Sequence, residues 1–258
     1  YVMRDQEFLE NIIQRAKDAK CSALVLTLDL QILGQRHKDL KNGLSVPLRP
    51  SIGNVLDLAT KWRWGLGMLG TKNKSFGNIV GHARGVSNMG SLFTWTAEQF
   101  DPRLDWDKIA KIKEMWGGPL ILKGIMEPED ALKAVAVGAD AIIVSNHGGR
   151  QLDGALSSIK MLPAIMEAVG DQIEVHLDSG IRSGQDVLKA IAMGAKGTYI
   201  GRAFIHGLGA NGEAGVTQAL EVIHKEMDTT MALCGRRHIE TMDRDTILVP
   251  KNFAGDWE

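Results

Sequence analysis

The sequence predicts an α/β protein of the (β/α)₈ barrel type, represented in part. Three observations carry this. Short runs that are apolar on both faces, the mark of parallel strands covered by helices, alternate with helical patterns. A ten-residue pattern recurs: Asp130-Ala-Leu-Lys-Ala-Val-Ala-Val-Gly-Ala returns as Asp186-Val-Leu-Lys-Ala-Ile-Ala-Met-Gly-Ala after 56 residues, two α/β units. Each apolar run also ends in polar or charged residues: Asp29, Lys123, Ser145 to His147, Asp178 and Arg202. Chemistry at the C-terminal ends of many strands is the barrel pattern, whereas a doubly wound sheet concentrates it at one switch point.

The elements follow in order. Tyr1 to Met3 reads as a strand. Asp5 to Ala19 reads as a helix, because Phe8, Leu9, Ile12, Ile13 and Ala16 share one face. Ala23 to Leu28 is a buried strand. Asp101 to Met115, with Trp106, Ile109 and Ile112 in phase, is the helix before the strand Leu120 to Leu122. Pro128 to Val137 is a helix, Ala141 to Ser145 a strand and Ile173 to Leu177 another. Ser183 to Met193 is a helix leading to the strand Thr198 to Gly201. These make six strands where a closed barrel needs eight. The expectation is an N-terminally truncated barrel of about six βα units, a single domain over 1–258 with an insertion at about 48–100.

Composition excludes several classes. The 258 residues carry 30 Lys and Arg against 31 Asp and Glu, so a chain-wide phosphate-binding surface and a nucleic-acid partner are not expected. Cys21 and Cys234 form neither a metal spacing nor a disulfide framework, and no metal site is expected. Two G-x-G-x-x-G matches, at Gly65 to Gly70 and Gly207 to Gly212, lack the preceding strand that a dinucleotide fingerprint requires.

Within the insertion, Asn54 to Lys74 interleaves Val55, Leu56, Leu58, Trp62, Trp64, Leu66, Met68 and Leu69 with Lys61, Arg63, Lys72 and Lys74. Four bases against Asp57 make a local positive patch in a near-neutral chain. Trp and basic residues on one amphipathic stretch suit a membrane interface, and a lid or subunit contact is the alternative.

The densest polar cluster is Ser145-Asn-His-Gly-Gly-Arg-Gln-Leu-Asp153, directly after an apolar strand. His147 suits proton transfer near neutrality, and Arg150 suits a carboxylate. Asp29, at another strand end, is the residue type that orients a histidine base. Lys123 ends an apolar strand, where an ammonium needs an anionic partner. Asp178-Ser179-Gly180-Ile181-Arg182 and Gly201-Arg202 follow the last two strands, the usual place for a barrel phosphate site. His176, inside a strand, reads as a core residue or one that supports the site from behind.

The motif at Ser145 to Asp153 resembles the signature of the FMN-dependent α-hydroxy acid dehydrogenases. Thr27-Leu-Asp29, Leu33-Gly-Gln-Arg36, Leu122-Lys-Gly124, Leu177-Asp-Ser-Gly-Ile-Arg182 and Ile200-Gly-Arg202 extend the likeness along the chain. It implies an FMN-binding barrel that oxidises an L-2-hydroxy acid to a 2-oxo acid, and Asp178-Ser-Gly-Ile-Arg182 with Leu156-Ser-Ser158 resembles the members that convert L-lactate to pyruvate. By matching position, His147 resembles the catalytic base and Asp29 its partner. Arg150 and Arg36 resemble the substrate-carboxylate arginines, and Tyr1 a tyrosine at the substrate's carboxylate and hydroxyl. Thr27, Lys123 and Ser145 resemble flavin contacts. Asp178, Ser179, Gly180, Arg182, Gly201 and Arg202 resemble the ribityl and phosphate segment. The long Trp-rich insertion resembles the membrane-associated lactate and mandelate dehydrogenases. That implies a quinone or other respiratory-chain acceptor, peripheral contact through 54–74 at the cytoplasmic face of the inner membrane, and a homo-oligomer, by likeness a tetramer. The competing expectations are a cytoplasmic 2-hydroxy acid oxidase that reduces oxygen, a mandelate dehydrogenase, a flavin barrel without hydroxy-acid chemistry such as a type 2 isopentenyl diphosphate isomerase, and an inert fragment.

Overall fold

In the computed structural model, residues 1–253 are described except 33, 35, 44–50, 72–75, 87–90, 93, 94 and 96–98; the side chain of residue 63 is also outside the description. Lys72, Lys74 and the Arg63 side chain, three of the four bases expected in the 54–74 patch, therefore lie outside the described residues. Contacts gather the chain into two units, 1–21 with 30–104 and 22–29 with 105–258.

The second unit is the sheet unit. Strands β1 (Leu24–Thr27), β2 (Leu120–Ile125), β3 (Ala141–Val144), β4 (Glu174–Leu177) and β5 (Gly197–Thr198) lie side by side in chain order, every pair parallel. Helices α5 (Trp106–Trp116), α6 (Pro128–Ala136), α7 (Ser158–Val169), α8 (Gly184–Ala192) and α9 (Arg202–Leu233) intervene or follow. Sequential parallel strands joined by helices are the barrel wiring. The core between sheet and helices holds Leu120, Leu122, Ile142, Val144, Leu162, Ile165, Val175 and Leu177, each at most 1% exposed.

The sequence repeat is a structural repeat. After α6, the Gly138 N–H donates to Val135 and the Ala139 N–H to Ala134; after α8, Gly194 donates to Ile191 and Ala195 to Ala190. Gly138 and Gly194 take φ of 77° and 106°, the left-handed stop that ends a helix cheaply only at glycine. The next residues, Asp140 and Lys196, then donate to strand carbonyls at Leu120 and Val175 and start β3 and β5 in the same way.

The two G-x-G-x-x-G segments serve packing or lie open. Gly65, Gly67 and Gly70 sit in helix α4 (Trp62–Gly70) with free space around them. Gly207 and Gly215 face each other across a kink in α9 at Asn211 and Gly212, where a Cβ on either would meet the other's carbonyl oxygen within 2.3 Å.

The first unit packs α1 (Gln6–Asp18) onto a small core of Met3, Phe8, Ala83, Val86, Leu92 and Trp95. Phe8 meets Trp95 edge-on at 5.0 Å. Asp5 caps α1 by accepting from the Phe8 N–H at 3.0 Å. Two expectations need correction. Tyr1 to Met3 forms no ladder strand: Met3 makes a single antiparallel bridge to Phe100. The Asp5 cap turns the backbone into α1 directly after this bridge. The helix expected from Asp101 starts at Trp106 instead. The Asp101 carboxylate, 1% exposed, accepts from the Arg103 N–H and Nε and holds Pro102 to Leu104 as a turn, and Asp105 is the true cap.

The first unit also contains α2 (His37–Lys41), α3 (Ile52–Thr60) and α4. Helices α3 and α4 break at Lys61, and Ser51 with Asn54 forms a capping box for α3. Neither helix buries an apolar face: Ile52 is 82% exposed, Leu69 77%, Leu56 65% and Trp62 64%.

Candidate active site

The ladders place one residue after another along the C-terminal edge of the sheet. Leu28 donates its N–H to Lys123, Asp178 to Val144 and Tyr199 to Leu177, so the pairing extends past the named strands. This edge carries Asp29, Lys123, Ser145, His147, Asp178 and Ser179, all in the second unit.

His147 and Asp29 meet here. The His147 Nδ1 lies 3.1 Å from Asp29 Oδ1 and 3.3 Å from Oδ2, with both side chains at most 23% exposed. A carboxylate at Nδ1 favours the hydrogen on that nitrogen and leaves the Nε2 lone pair outward, the form of a general base. Their approach depends on Gly124. At φ 100°, where the register between β2 and β3 shifts, a Cβ there would lie 2.9 Å from the Asp29 Cβ and 3.1 Å from its backbone nitrogen. The Gln151 Nε2 donates to the Asp29 carbonyl at 3.0 Å and fixes the loop from behind.

His147 itself has φ 56°, the left-handed region, at a cost on the order of 1 kcal/mol for a residue with a Cβ. Local hydrogen bonds hold it there. The His147 N–H donates to Ser145 Oγ at 3.1 Å, and the Gly148 N–H to Ser179 Oγ at 2.9 Å and Asn146 Oδ1 at 3.0 Å. Asn146 and Gln151 belong to the signature but were not among the expected site residues. An Asn just before a His-Gly-Gly turn, the place of an Asx turn, was the available signal.

The second cluster is an ion pair bridged by a hydroxyl. Lys123 Nζ lies 2.8 Å from Asp178 Oδ2 and donates to Ser145 Oγ at 2.9 Å, while Ser145 donates to Asp178 Oδ2 at 2.7 Å. Ser145 is fully buried. Thus Lys123, expected to need an anionic partner, has one within the chain. Burial alone pushes the Asp178 carboxyl up, but the Lys123 ammonium, the Ser145 hydroxyl and the Ser179 N–H together outweigh it and hold the carboxyl below its ordinary range. Ser158 Oγ donates to the Asp178 carbonyl at 2.6 Å and locks the start of the following loop.

That loop has an anion-binding character. Ser179 and Gly180 are consecutive residues at φ 80° and 86°, and a Cβ on Gly180 or Gly201 would meet nothing within 4 Å, so an incoming group can approach the backbone. Arg202, the first residue of α9, donates from Nη2 to the Gly148 carbonyl at 2.8 Å, and Arg182 is exposed. A helix start, open glycines and guanidinium groups on these two loops are the kinds of donor that phosphate takes. An ammonium held at the same sheet edge suits the electron-rich edge of a flavin. The residues present therefore fit FMN.

Thr27 pairs in register with Lys123 at the end of β1, and Arg150 is exposed just after His147. Tyr1 and Arg36 belong to the first unit. The Tyr1 ring lies edge-on to Phe100 at 6.1 Å, and Arg36 precedes α2. His176 stacks on Tyr199, its Nδ1 3.2 Å from the phenol oxygen.

Comparison with known proteins gives a consistent result. The L-lactate dehydrogenase of Caulobacter vibrioides is 43% identical over 253 residues, and that of Azorhizobium caulinodans 45% over 250. These alignments take in 97% and 96% of this chain, which spans 65% of the length of each relative. Among solved structures, the monotopic membrane protein (S)-mandelate dehydrogenase superposes with a TM-score of 0.89 at 33% identity, over 96% of this chain and 65% of that one. A mandelate oxidase bound to (S)-4-hydroxymandelic acid gives 0.74 at 36% identity, over 95% and 62%. The sequence model of the FMN-dependent dehydrogenases matches residues 1–249. The chain belongs to the FMN-dependent dehydrogenase family.

Proposed function

We propose that this chain carries the catalytic face of an FMN-dependent L-2-hydroxy acid dehydrogenase that converts L-lactate to pyruvate. The contact between His147 Nδ1 and the Asp29 carboxylate carries the reading, because it makes a base out of a histidine beside a phosphate-type donor set. Lactate is favoured over mandelate because the lactate relatives are 43% and 45% identical and the mandelate dehydrogenase 33%.

Arg150 binds the substrate carboxylate. His147 accepts the proton the substrate loses, and Asp29 stabilises the imidazolium that results. FMN, when bound, supplies the two-electron acceptor. Lys123 and Thr27 hold its ring, and the ion pair with Asp178 and the bond to Ser145 set the position of the Lys123 charge. Ser179, Gly180, Arg182, Gly201 and Arg202 hold its ribityl and phosphate portion. For Tyr1 and Arg36 the family resemblance alone supports a substrate role.

The electron acceptor is a quinone or another respiratory-chain carrier. The exposed apolar residues of α3 and α4 support a peripheral membrane seat, since a clustered exposed apolar surface marks an interface; for the cytoplasmic face of the inner membrane the family resemblance alone is the support. No helix among the described residues is long and apolar enough to cross a membrane. Family resemblance alone supports a homotetramer, whose mass light scattering measures directly. Stopped-flow reoxidation of the lactate-reduced protein tests the acceptor: fast reoxidation by a quinone and slow reoxidation by oxygen is expected. Fast reaction with oxygen and none with quinone would make it an oxidase.

A further inference from the structure

We infer that Asn146 is a positioning residue: its side-chain amide holds His147 in the left-handed conformation from which the ring reaches Asp29. The inference rests on the reading of His147 as the base.

The geometry is particular to this amide. Asn146 Oδ1 accepts from the Gly148 N–H at 3.0 Å and the Gly149 N–H at 3.3 Å, and its Nδ2 donates to the Leu156 carbonyl at 3.0 Å. The side chain thus reaches both ways from the residue whose φ is 56°: over the turn that follows His147 and across to the far end of the loop. Ser145 Oγ and Ser179 Oγ also hold this backbone, but both belong to the network of the Lys123–Asp178 pair. Asn146 has no bond to that pair among those described and touches the loop alone. Left-handed geometry at a residue with a Cβ persists only when its surroundings over-determine it. Removing the two acceptor contacts lets residues 147–149 relax toward ordinary φ values, and the ring then leaves Asp29. A base displaced by about 1 Å loses on the order of a hundredfold in rate.

The test compares Asn146→Ala and Asn146→Asp in the FMN-loaded protein. An Asp keeps the oxygen acceptor for the Gly148 and Gly149 N–H groups, and sets a carboxylate oxygen in place of the donor to the Leu156 carbonyl. In ¹⁵N-histidine-labelled protein, His147→Gln identifies the His147 ring signal, which should report a single tautomer protonated on Nδ1. Asn146→Ala is expected to average the tautomers and to lower kcat about 10- to 100-fold with KM for L-lactate within about threefold. Asn146→Asp should keep the ring signal and most of kcat. A wild-type ring signal and kcat in Asn146→Ala would overturn the inference, as would a raised KM at unchanged kcat. If the alanine variant does not fold, Asn146→Leu, close in size but without the acceptor, decides: a shifted or averaged ring signal supports the role, and the wild-type signal refutes it. If His147→Gln still oxidises lactate, the functional reading fails, while the ring signal still judges Asn146.

Discussion

Replacing Asp178 by Asn leaves the Lys123 ammonium at the sheet edge without its carboxylate. The two side chains are 18% and 16% exposed and their charged atoms lie 2.8 Å apart. Breaking a fully buried pair from one side costs about 3–5 kcal/mol, because the remaining charge is stranded. Here some water reaches both groups, and the Ser145 hydroxyl still accepts from Lys123 at 2.9 Å, so a loss of about 2–3 kcal/mol is expected. Hydrogen exchange read by mass spectrometry on peptides covering β3 and β4 isolates this unit from the other. At 1.4 kcal/mol per tenfold, exchange there should quicken roughly 30- to 140-fold. Pairing Asp178→Leu with Lys123→Met should restore much of the protection, since two apolar groups leave no stranded charge. A change below about threefold in Asp178→Asn, or a double variant worse than either single one, would refute the assignment of stability to this pair.

The Asp178 carboxyl is depressed in the folded protein, so its contribution is complete above the unfolded value near ~3.9 and is lost as pH falls through the folded value; the gap in thermal stability between wild type and Asp178→Asn should therefore close below about pH 4. Gly184→Ala should cost about 3 kcal/mol by thermal unfolding, because the new Cβ would lie 2.2 Å from the Met227 nitrogen, where the start of α8 packs backbone-to-backbone on α9. Arg202→Ala should weaken FMN binding about 10- to 100-fold and leave riboflavin binding nearly unchanged, measured by fluorescence quenching. Trp62→Ser combined with Leu69→Ser should reduce flotation with anionic vesicles, and unchanged flotation would remove α3 and α4 from any membrane role.

How much of this was legible depended on the range of the interactions. The α/β repeat was legible because each unit is local: a helix stripe, a glycine stop at Gly138 or Gly194 and an apolar run, all within about thirty residues. The strand ends were legible for the same reason, and with them the list of polar residues at one sheet edge. Which of these residues pair was not. Lys123 and Asp178 are 55 positions apart, and only the ladders β2 to β3 and β3 to β4 bring them together through Ser145. The failure at Tyr1 to Met3 has the opposite cause. Three apolar and aromatic residues match a strand by propensity, but a strand also needs a ladder partner, and among the described residues the segment makes only the Met3 bridge to Phe100. At Asp101, helical periodicity was read through a Pro and past a buried carboxylate that folds the backbone into a turn.

Anaerobic titration with L-lactate, in protein purified with its FMN and in a His147→Ala variant that retains the flavin, addresses the proposed activity at its base. Bleaching of the flavin absorbance in the wild type, and none on the same timescale in the variant, is the expected result. Equal bleaching in both would contradict the role of His147 as the base, and none in the wild type would contradict lactate as the substrate.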